Sequence, residues 1–423
     1  MSNIEFIRDE DKDKVDNLDF KFLKDLEKAE EEKKRAEEEI QEAEEEERKE
    51  IDRYLQKTSR ENAIERLLFN INTIQQGYSR VWETGFTNLD NLLSGGFHEK
   101  QLIVLGAVSS LGKTSLALQI ADNVARSGKD VLVFSLEMDS DELLAKTISR
   151  ETYLLSCGDK SKEKYRLTTQ DILNGEVGKL GDPKRELFDK AVESSNKIND
   201  HLRYRIGDNK VSVSTIKEEI ELHRKATGEA PFIILDYLQI LKPTEDALGR
   251  KLDKRLLTDD DVSFLRTLAR DYRIPVVVIS AFNRESYLQP VSMSSFRESS
   301  GIEYSSDVLL AMQYQGADYK SAWYSTKDAN GNVIRKKGHE SKQDHEARVR
   351  EDTEKFEKQD IRPIELVILK NRNGKKGNLY FNFNAKYNCY EESRNSYNVK
   401  AVTDNTIGEC EKAFNDDDVI EEL

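Results

Sequence analysis

The chain has 423 residues, 37% of them apolar and 35% charged, and a formal net charge of −15. That is too polar for packing throughout, so part of the chain must be solvated rather than buried. The three cysteines, Cys157, Cys389 and Cys410, are far apart and exclude a disulfide frame; no apolar run approaches the roughly 18 residues of a membrane span and there is no signal peptide, so a soluble cytoplasmic protein with no membrane partner is expected.

The charge is unevenly spread. Residues 1–56 carry roughly −10 and residues 400–423 roughly −6, which leaves about +1 between them. The acidic total therefore describes the ends of the chain. It does not argue against a nucleic-acid partner, because a local basic lining is what such binding needs.

Residues 1–56 read as a charged helical arm. The stretch 21–56 has no Gly or Pro, and Glu30–Lys34, Glu31–Arg35, Glu44–Arg48 and Glu45–Lys49 are i,i+4 pairs with the acid first. The stripe Leu26, Ala29, Ala36, Ile40, Ala43 is thin, which leaves open a single extended helix and a weakly paired coiled coil. Residues 57–80 read as a linker helix. Ile64, Leu67, Leu68, Ile71 and Ile74 give it an amphipathic face that needs a partner.

Residues 81–395 read as one α/β domain. The runs "QLIVLG" (101–106), "VLVFSLE" (131–137), "FIILDYLQIL" (232–241), "PVVVIS" (275–280), "VLLAM" (308–312) and "IELVILK" (364–370) are candidate strands. Several are continuously apolar, as strands buried on both faces of a mostly parallel sheet are. Helices are expected at "TSLALQIADNVARSG", "STIKEEIELHRKATG" and "DDVSFLRTLARDY". Residues 316–360 break the rhythm and read as a polar surface insertion, helical toward its end. His339 and His345 within it read as solvated, without metal-ligand spacing. Residues 396–423 form an acidic tail.

The stretch "GAVSSLGKTS" follows the first strand. The phosphate-loop pattern is G-x-x-x-x-G-K-[ST], and its first position here is Ala107, tolerable if that residue does not need a positive φ. Such a loop aims backbone N–H groups at phosphate oxygens at the positive end of the next helix. Ala107, Ser109, Ser110, Gly112, Lys113, Thr114 and Ser115 are the candidate nucleotide-binding residues. Lys113 is expected to reach the β- and γ-phosphates of ATP and the Thr114 hydroxyl to ligate Mg²⁺. Two further acids complete a hydrolytic site. Asp236, after four apolar residues, is placed to hold the magnesium shell, and Glu137 to orient or deprotonate water.

The motifs "TGFTNLDNLLSGGFHEKQLIVLGAVSSLGKTSLALQIA", "VLVFSLEM", "IILDYLQIL", "IPVVVISAFNRE", "FRESSGIEYSSD" and "LKNRNGKKG" occur in an order and spacing that resemble the RecA-like motor domain of DnaB-type replicative helicases. The resemblance covers roughly residues 60–315 and 362–392, and that family also carries Ala at the first loop position. It implies a P-loop ATPase fold, ATP and Mg²⁺, a ring that is expected to be a hexamer, and single-stranded DNA. Lys113 and Thr114 fall on its phosphate loop, Glu137 on its catalytic glutamate and Asp236 on its magnesium acid. Lys370 and Arg372 fall on the lysine and arginine finger that reach the next subunit's nucleotide. Arg297, Glu298 and Ser300 fall on the DNA-facing loop. Arg250, Lys251, Lys254 and Arg255 give the other central loop its positive sign, although a solvated basic surface is the other reading of that stretch.

The departures are as informative. Ala281 stands where the family has a γ-phosphate-sensing Gln, with Ser280 and Asn283 as candidate substitutes. Residues 1–56 stand where the family has a globular primase-docking domain. The 316–360 insertion is foreign to the family, and it or the arm could engage a loader or primase. These features suit a divergent member from a phage or mobile element. The leading expectation is an ATP-dependent helicase or translocase acting in DNA replication. The alternatives are a RecA-like DNA-dependent ATPase serving as loader, recombination factor or assembly switch, and a scaffold that has kept its motifs.

Overall fold

The protein is described here from a computed structural model. It describes residues 34–35, 45–56, 59–76, 81–207, 211–238, 254–296, 299–317, 326–327, 333–334 and 342–393. The chain divides into two units, Met1–Ser79 and Arg80–Leu423.

In the first unit residues 45–56 are helical and exposed, and the Glu45–Lys49 pair forms at 2.8 Å. Helix α1, Arg60–Gln75, starts where Ser59 accepts a hydrogen bond from the Asn62 N–H, which satisfies one of the free donors of the first turn. Ile64, Leu67, Leu68, Ile71 and Ile74 are each at least 41% exposed.

The second unit is built on one nine-stranded sheet. Its strands are β1 (Leu102–Ala107), β2 (Val131–Ser135), β3 (Leu202–Ile206), β4 (Phe232–Asp236), β5 (Val276–Ala281), β6 (Val308–Tyr314), β7 (Ile361–Asn371), β8 (Gly377–Asn384) and β9 (Cys389–Glu392). Their order is β9-β8-β7-β6-β1-β5-β4-β2-β3. The six strands from β6 to β3 are parallel and β7, β8 and β9 are antiparallel.

Alternation along β1 explains why its run is wholly apolar. Ile103, Leu105 and Ala107 enter one core, with Leu116, Ile120 and Val124 of helix α2 (Lys113–Arg126). Leu102 and Val104 enter the other. There they meet Ile216 and Ile220 from α5 (Val213–Thr227), and Leu265 and Leu268 from α6 (Lys254–Tyr272). Burying one such side chain is worth roughly 1.5–3 kcal/mol, so helices on both faces make a central parallel strand stable only if every residue is apolar. The expected run 232–241 ends as a strand at Asp236.

The two long helices that precede α5 and that the sequence motifs do not mark are α3 (Ser140–Ser156) and α4 (Pro183–Asn196). The insertion ends in α7, Lys342–Glu357. It is not a wholly surface element. Val349 is fully buried and His345 is 8% exposed, with the Arg348 guanidinium 3.1 Å from the His345 Nδ1. Phe356 stacks on Tyr314 at 5.6 Å. The reading of His345 as solvated is therefore corrected: a few residues on one face of α7 tie a polar helix to the end of β6. His339 lies outside the described residues.

Asp261 of α6 is 7% exposed, and burial, helped by Asp260, pushes its carboxyl up to about 6. Between about pH 4 and pH 6 the folded state then holds more protons than the unfolded chain, so stability falls as pH rises through that window and stays lower above it. Asp261→Asn is expected to stabilise the protein by about 2 kcal/mol at pH 7.5 and to have little effect at pH 4, measured by urea unfolding. Equal stability of the two proteins at pH 7.5 would contradict this.

Candidate nucleotide site

Ala107 is the last residue of β1 and does not adopt a left-handed conformation; the turn is made by Ser110 (φ 65°) and Gly112 (φ 77°). That is why alanine fits the first position. Gly112 is also sterically fixed. A Cβ there would lie 2.6 Å from the Phe383 ring and 2.8 Å from the Tyr390 hydroxyl. Phe383 and Tyr390 stack at 4.3 Å beneath the loop, and the Tyr390 hydroxyl donates to the Leu111 carbonyl. Gln119 of α2 holds Tyr390 through both backbone groups, at 2.8 and 3.0 Å. Ser115 donates to Asn388 at 3.1 Å. Lys146 of α3 donates to the same Asn388 oxygen at 2.9 Å. Ser109 and Ser110 are exposed at the rim, where Arg362 donates to the Ser110 carbonyl at 2.7 Å.

The Lys113 ammonium folds over the loop and donates to the carbonyls of Ala107 and Val108, both at 3.2 Å. Burial lowers its pKa against the opposing pull of Asp236 and Glu137. Thr114 donates to Asp236 Oδ2 at 2.6 Å. Asp236 ends β4, two strands from β1, and is 5% exposed. Burial raises its pKa, partly offset by the Thr114 hydrogen bond. Glu137 follows β2 and is exposed. Its turn is set by Ser135, which accepts from the Met138 N–H and donates to its carbonyl. The Leu136 N–H donates to the Asp236 carbonyl at 2.8 Å, which registers this turn against β4. The fold thus gathers Ala107, Ser109, Ser110, Gly112, Lys113, Thr114, Ser115, Glu137 and Asp236 at the C-terminal ends of the parallel strands.

Lys370 and Arg372 are at the opposite, N-terminal ends of the parallel strands. Lys370 pairs with Leu309 and Asn371 with Val308, at the start of β6, whereas Ala107 pairs with Met312. Four residues of strand separate these rows by roughly 13 Å. A bulge between Ile368 and Lys370 re-aims the end of β7. Arg372 pairs with Asp307 at 3.3 Å and donates to the Tyr304 carbonyl at 3.2 Å. Lys370 donates to the Glu303 carbonyl at 2.6 Å, and burial lowers its pKa, with the neighbouring Arg372 adding to the effect. Both cations sit at the C-terminal end of the short helix Ser299–Ser305, where carbonyls favour positive charge.

Of the proposed DNA-facing residues, Arg250, Lys251, Arg297 and Glu298 lie outside the described residues. Lys254 and Arg255 open α6 and Ser300 lies in Ser299–Ser305; their side chains are outside them too. The approach to Arg297 is described. Phe282 and Phe296 meet edge to face at 5.0 Å, and both rings press on Gly106 of β1. Asn283 donates to the carbonyls of Ser294 and Phe296 at 3.3 and 3.1 Å. The end of β5 is thereby fastened both to the strand that carries the phosphate loop and to the segment that leads to Arg297.

The set is suited to a polyphosphate with a hard divalent cation. The Thr114 hydroxyl and Asp236 carboxylate are oxygen donors of the kind Mg²⁺ takes, and the left-handed turn opens the backbone of α2's first residues to an anion. Lys146, Arg362, Asn388 and Tyr390 also shape the site. Sequence reading missed them, because each is brought in from a segment without a recognised pattern.

The profile of the family described as DnaB-like helicase C terminal domain matches residues 82–392. The chain is 28% identical over 320 residues to the replicative DNA helicase DnaB of Helicobacter pylori, covering 73% of this chain and 59% of that one. It is 27% identical over 312 residues to DnaB of Geobacillus stearothermophilus, covering 73% and 55%. The chain spans less than two thirds of the length of these relatives. Among solved structures, a DnaB-like replicative helicase studied with its interactions with primase superposes with a TM-score of 0.57 at 19% identity, covering 81% of this chain and 70% of that one. An ATPase domain superposes with a TM-score of 0.57 at 20% identity, covering 78% of this chain and 98% of that one. At that identity the likeness speaks for the fold.

Proposed function

The chain belongs to the DnaB-like helicase C-terminal domain family over residues 82–392, and from that premise we propose that it is an ATP-driven helicase or translocase working as a homo-oligomeric ring, a hexamer, on single-stranded DNA in replication. Its setting is the cytoplasm. The observation that carries this reading is the placement of Lys113, Thr114, Glu137 and Asp236 at the C-terminal ends of the parallel strands and of Lys370 and Arg372 at their N-terminal ends. A site whose finger cannot reach its own loop is completed by a neighbour. Ring assembly is then a condition for turnover.

In this reading the loop amides and Lys113 bind the phosphates of ATP. Thr114 and Asp236 hold Mg²⁺, which when bound neutralises phosphate charge. Glu137 takes the proton from the attacking water. Arg372 and Lys370 of one subunit face the nucleotide of the next, where a planar guanidinium suits the spreading charge on the γ-phosphate. The exposed face of α1 supplies a docking surface for an adjacent subunit. Arg297, braced by Glu298 and with Ser300 beside it, tracks DNA phosphates together with Arg250, Lys251, Lys254 and Arg255. Asn283 substitutes for the missing Gln at Ala281, because it joins the end of β5 to the backbone before Arg297. The N-terminal arm and the 316–360 insertion are the surfaces left for a loader or primase.

The test is DNA binding against salt together with ATP turnover. Affinity for a mixed-sequence single strand is expected to fall by about 0.7 log units per phosphate contact per decade of salt. Arg297→Ala is expected to flatten that slope and to reduce DNA-stimulated turnover while basal hydrolysis survives. Fluorescence anisotropy and a phosphate-release assay read the two quantities. An unchanged slope and unchanged stimulation would remove the DNA-facing role and turn the reading toward an ATPase that does not translocate.

A further inference from the structure

The foreign helix α7 reaches the nucleotide site. Beside the phosphate loop lies a cleft of about 350 Å³, walled by Ser109 and Ser110 of the loop, by Tyr287 in the segment after β5, by Tyr314 at the end of β6, and by Arg350 and Glu357 of α7. This helix is held in place by buried Val349 and by the stacking of Phe356 on Tyr314. The rim of the loop is fixed to the same side by Arg362 on the Ser110 carbonyl. The cleft is therefore framed by ordered elements on every wall.

Its chemistry differs from that of the loop. The loop offers amides and an ammonium, which suit phosphate. The cleft offers two tyrosine rings with the apolar Val108 and Leu288. The Tyr314 hydroxyl is enclosed beside the Arg362 guanidinium. The Arg350 and Glu357 side chains are exposed along the α7 wall, where charged groups are free to meet a ligand. An apolar wall with a few convergent polar groups suits a planar heterocycle carrying a hydroxylated sugar. A carboxylate accepts from sugar hydroxyls or a ring amine, and a guanidinium lies flat against a base or donates to its oxygens.

We propose that α7 forms one wall of a nucleoside subsite, so that the insertion, through Arg350 and Glu357, holds the base and ribose of the nucleotide whose phosphates occupy the loop. This rests on the reading of the loop as an ATP site. It gives the insertion a role in choosing the nucleotide and not only in meeting partners.

The experiment compares ATP with inorganic tripolyphosphate, which has the phosphates and no nucleoside. Calorimetric titration of the full chain with each, in the presence of Mg²⁺, is done for the wild type and for the variant with both Arg350→Ala and Glu357→Ala. Both residues are exposed on α7, so the fold is expected to survive, and circular dichroism checks this. The expected result is about tenfold weaker ATP binding in the double variant with tripolyphosphate binding unchanged. A second variant, Tyr287→Ala, is expected to show the same split. Unchanged ATP affinity in both variants overturns the subsite. Equal weakening for the two ligands also overturns it, because α7 would then act on the phosphates. A wild type that binds neither ligand refutes the reading of the loop itself, a result distinct from both.

Discussion

Glu137→Gln is expected to bind ATP about as well as the wild type and to hydrolyse it roughly 10²–10⁴-fold more slowly, the range that loss of a general base covers. The reason is geometric. Glu137 is exposed in the turn after β2 and acts on Lys113 and Asp236 only through its charge, so the isosteric amide leaves the packing of the phosphate cradle in place. Lys113→Ala is expected to abolish binding, because in the proposed role the half-buried ammonium folded over the loop supplies the positive charge that meets the phosphates. Titration of a fluorescent ATP analogue and steady-state phosphate release separate the two effects. Normal hydrolysis by Glu137→Gln would mean that another acid activates the water.

Arg372→Ala is expected to reduce turnover by about 10³-fold or more while leaving ATP binding to each chain intact, since an arginine finger acts on the charge of the transition state. Its position predicts something more specific. Arg372 is at the opposite end of the parallel strands from its own loop, so the damage should appear at a neighbour's site. Mixing Arg372→Ala with Lys113→Ala, each inactive alone, pairs an intact loop from one with an intact finger from the other. Activity is expected to return in the mixture. A mixture as inactive as its components would show that Arg372 serves its own nucleotide or none. Variants at this position also lose the Asp307 and Tyr304 contacts, so a thermal melt must accompany the assay.

The parts of the fold that could be read from the sequence are those where burial on both faces forces an unbroken apolar run. That holds for β1, β2, β4, β5 and β6, whereas β7 was legible from "IELVILK" although its burial alternates along the strand. Strand β3, "LRYRI", was not readable, because it is the edge strand and its two arginines face outward. Strands β8 and β9 escaped notice because Asn and Glu interrupt them, and their pairing is defined by β7 and by each other. The α7 helix was readable as helix but not as a packed one, since its packed residues, among them His345, Val349 and Phe356, are scattered through a polar sequence. At the site, local spacing was enough to pick out Lys113, Thr114 and Asp236. Asn388 could not be found that way. It meets Ser115 across 273 positions of chain, and nothing in "KYNCY" announces a contact so remote.

That same distance has a consequence for when the protein becomes competent during its synthesis. The loop emerges early, but the surface it rests on does not. Phe383 and Tyr390 lie beneath Gly112, and Gln119 grips Tyr390 at a separation of 271 residues. A ribosome that has made the loop, its helix and all six parallel strands has still not made this support. Such a nascent chain holds the recognisable motif without the packing that fixes its left-handed turn. Contacts this far apart in sequence also close slowly, because the entropy of the intervening loop must be lost first. The capacity to grip a nucleotide is thus acquired near the completion of the domain, when the last strand brings Tyr390 beneath the loop.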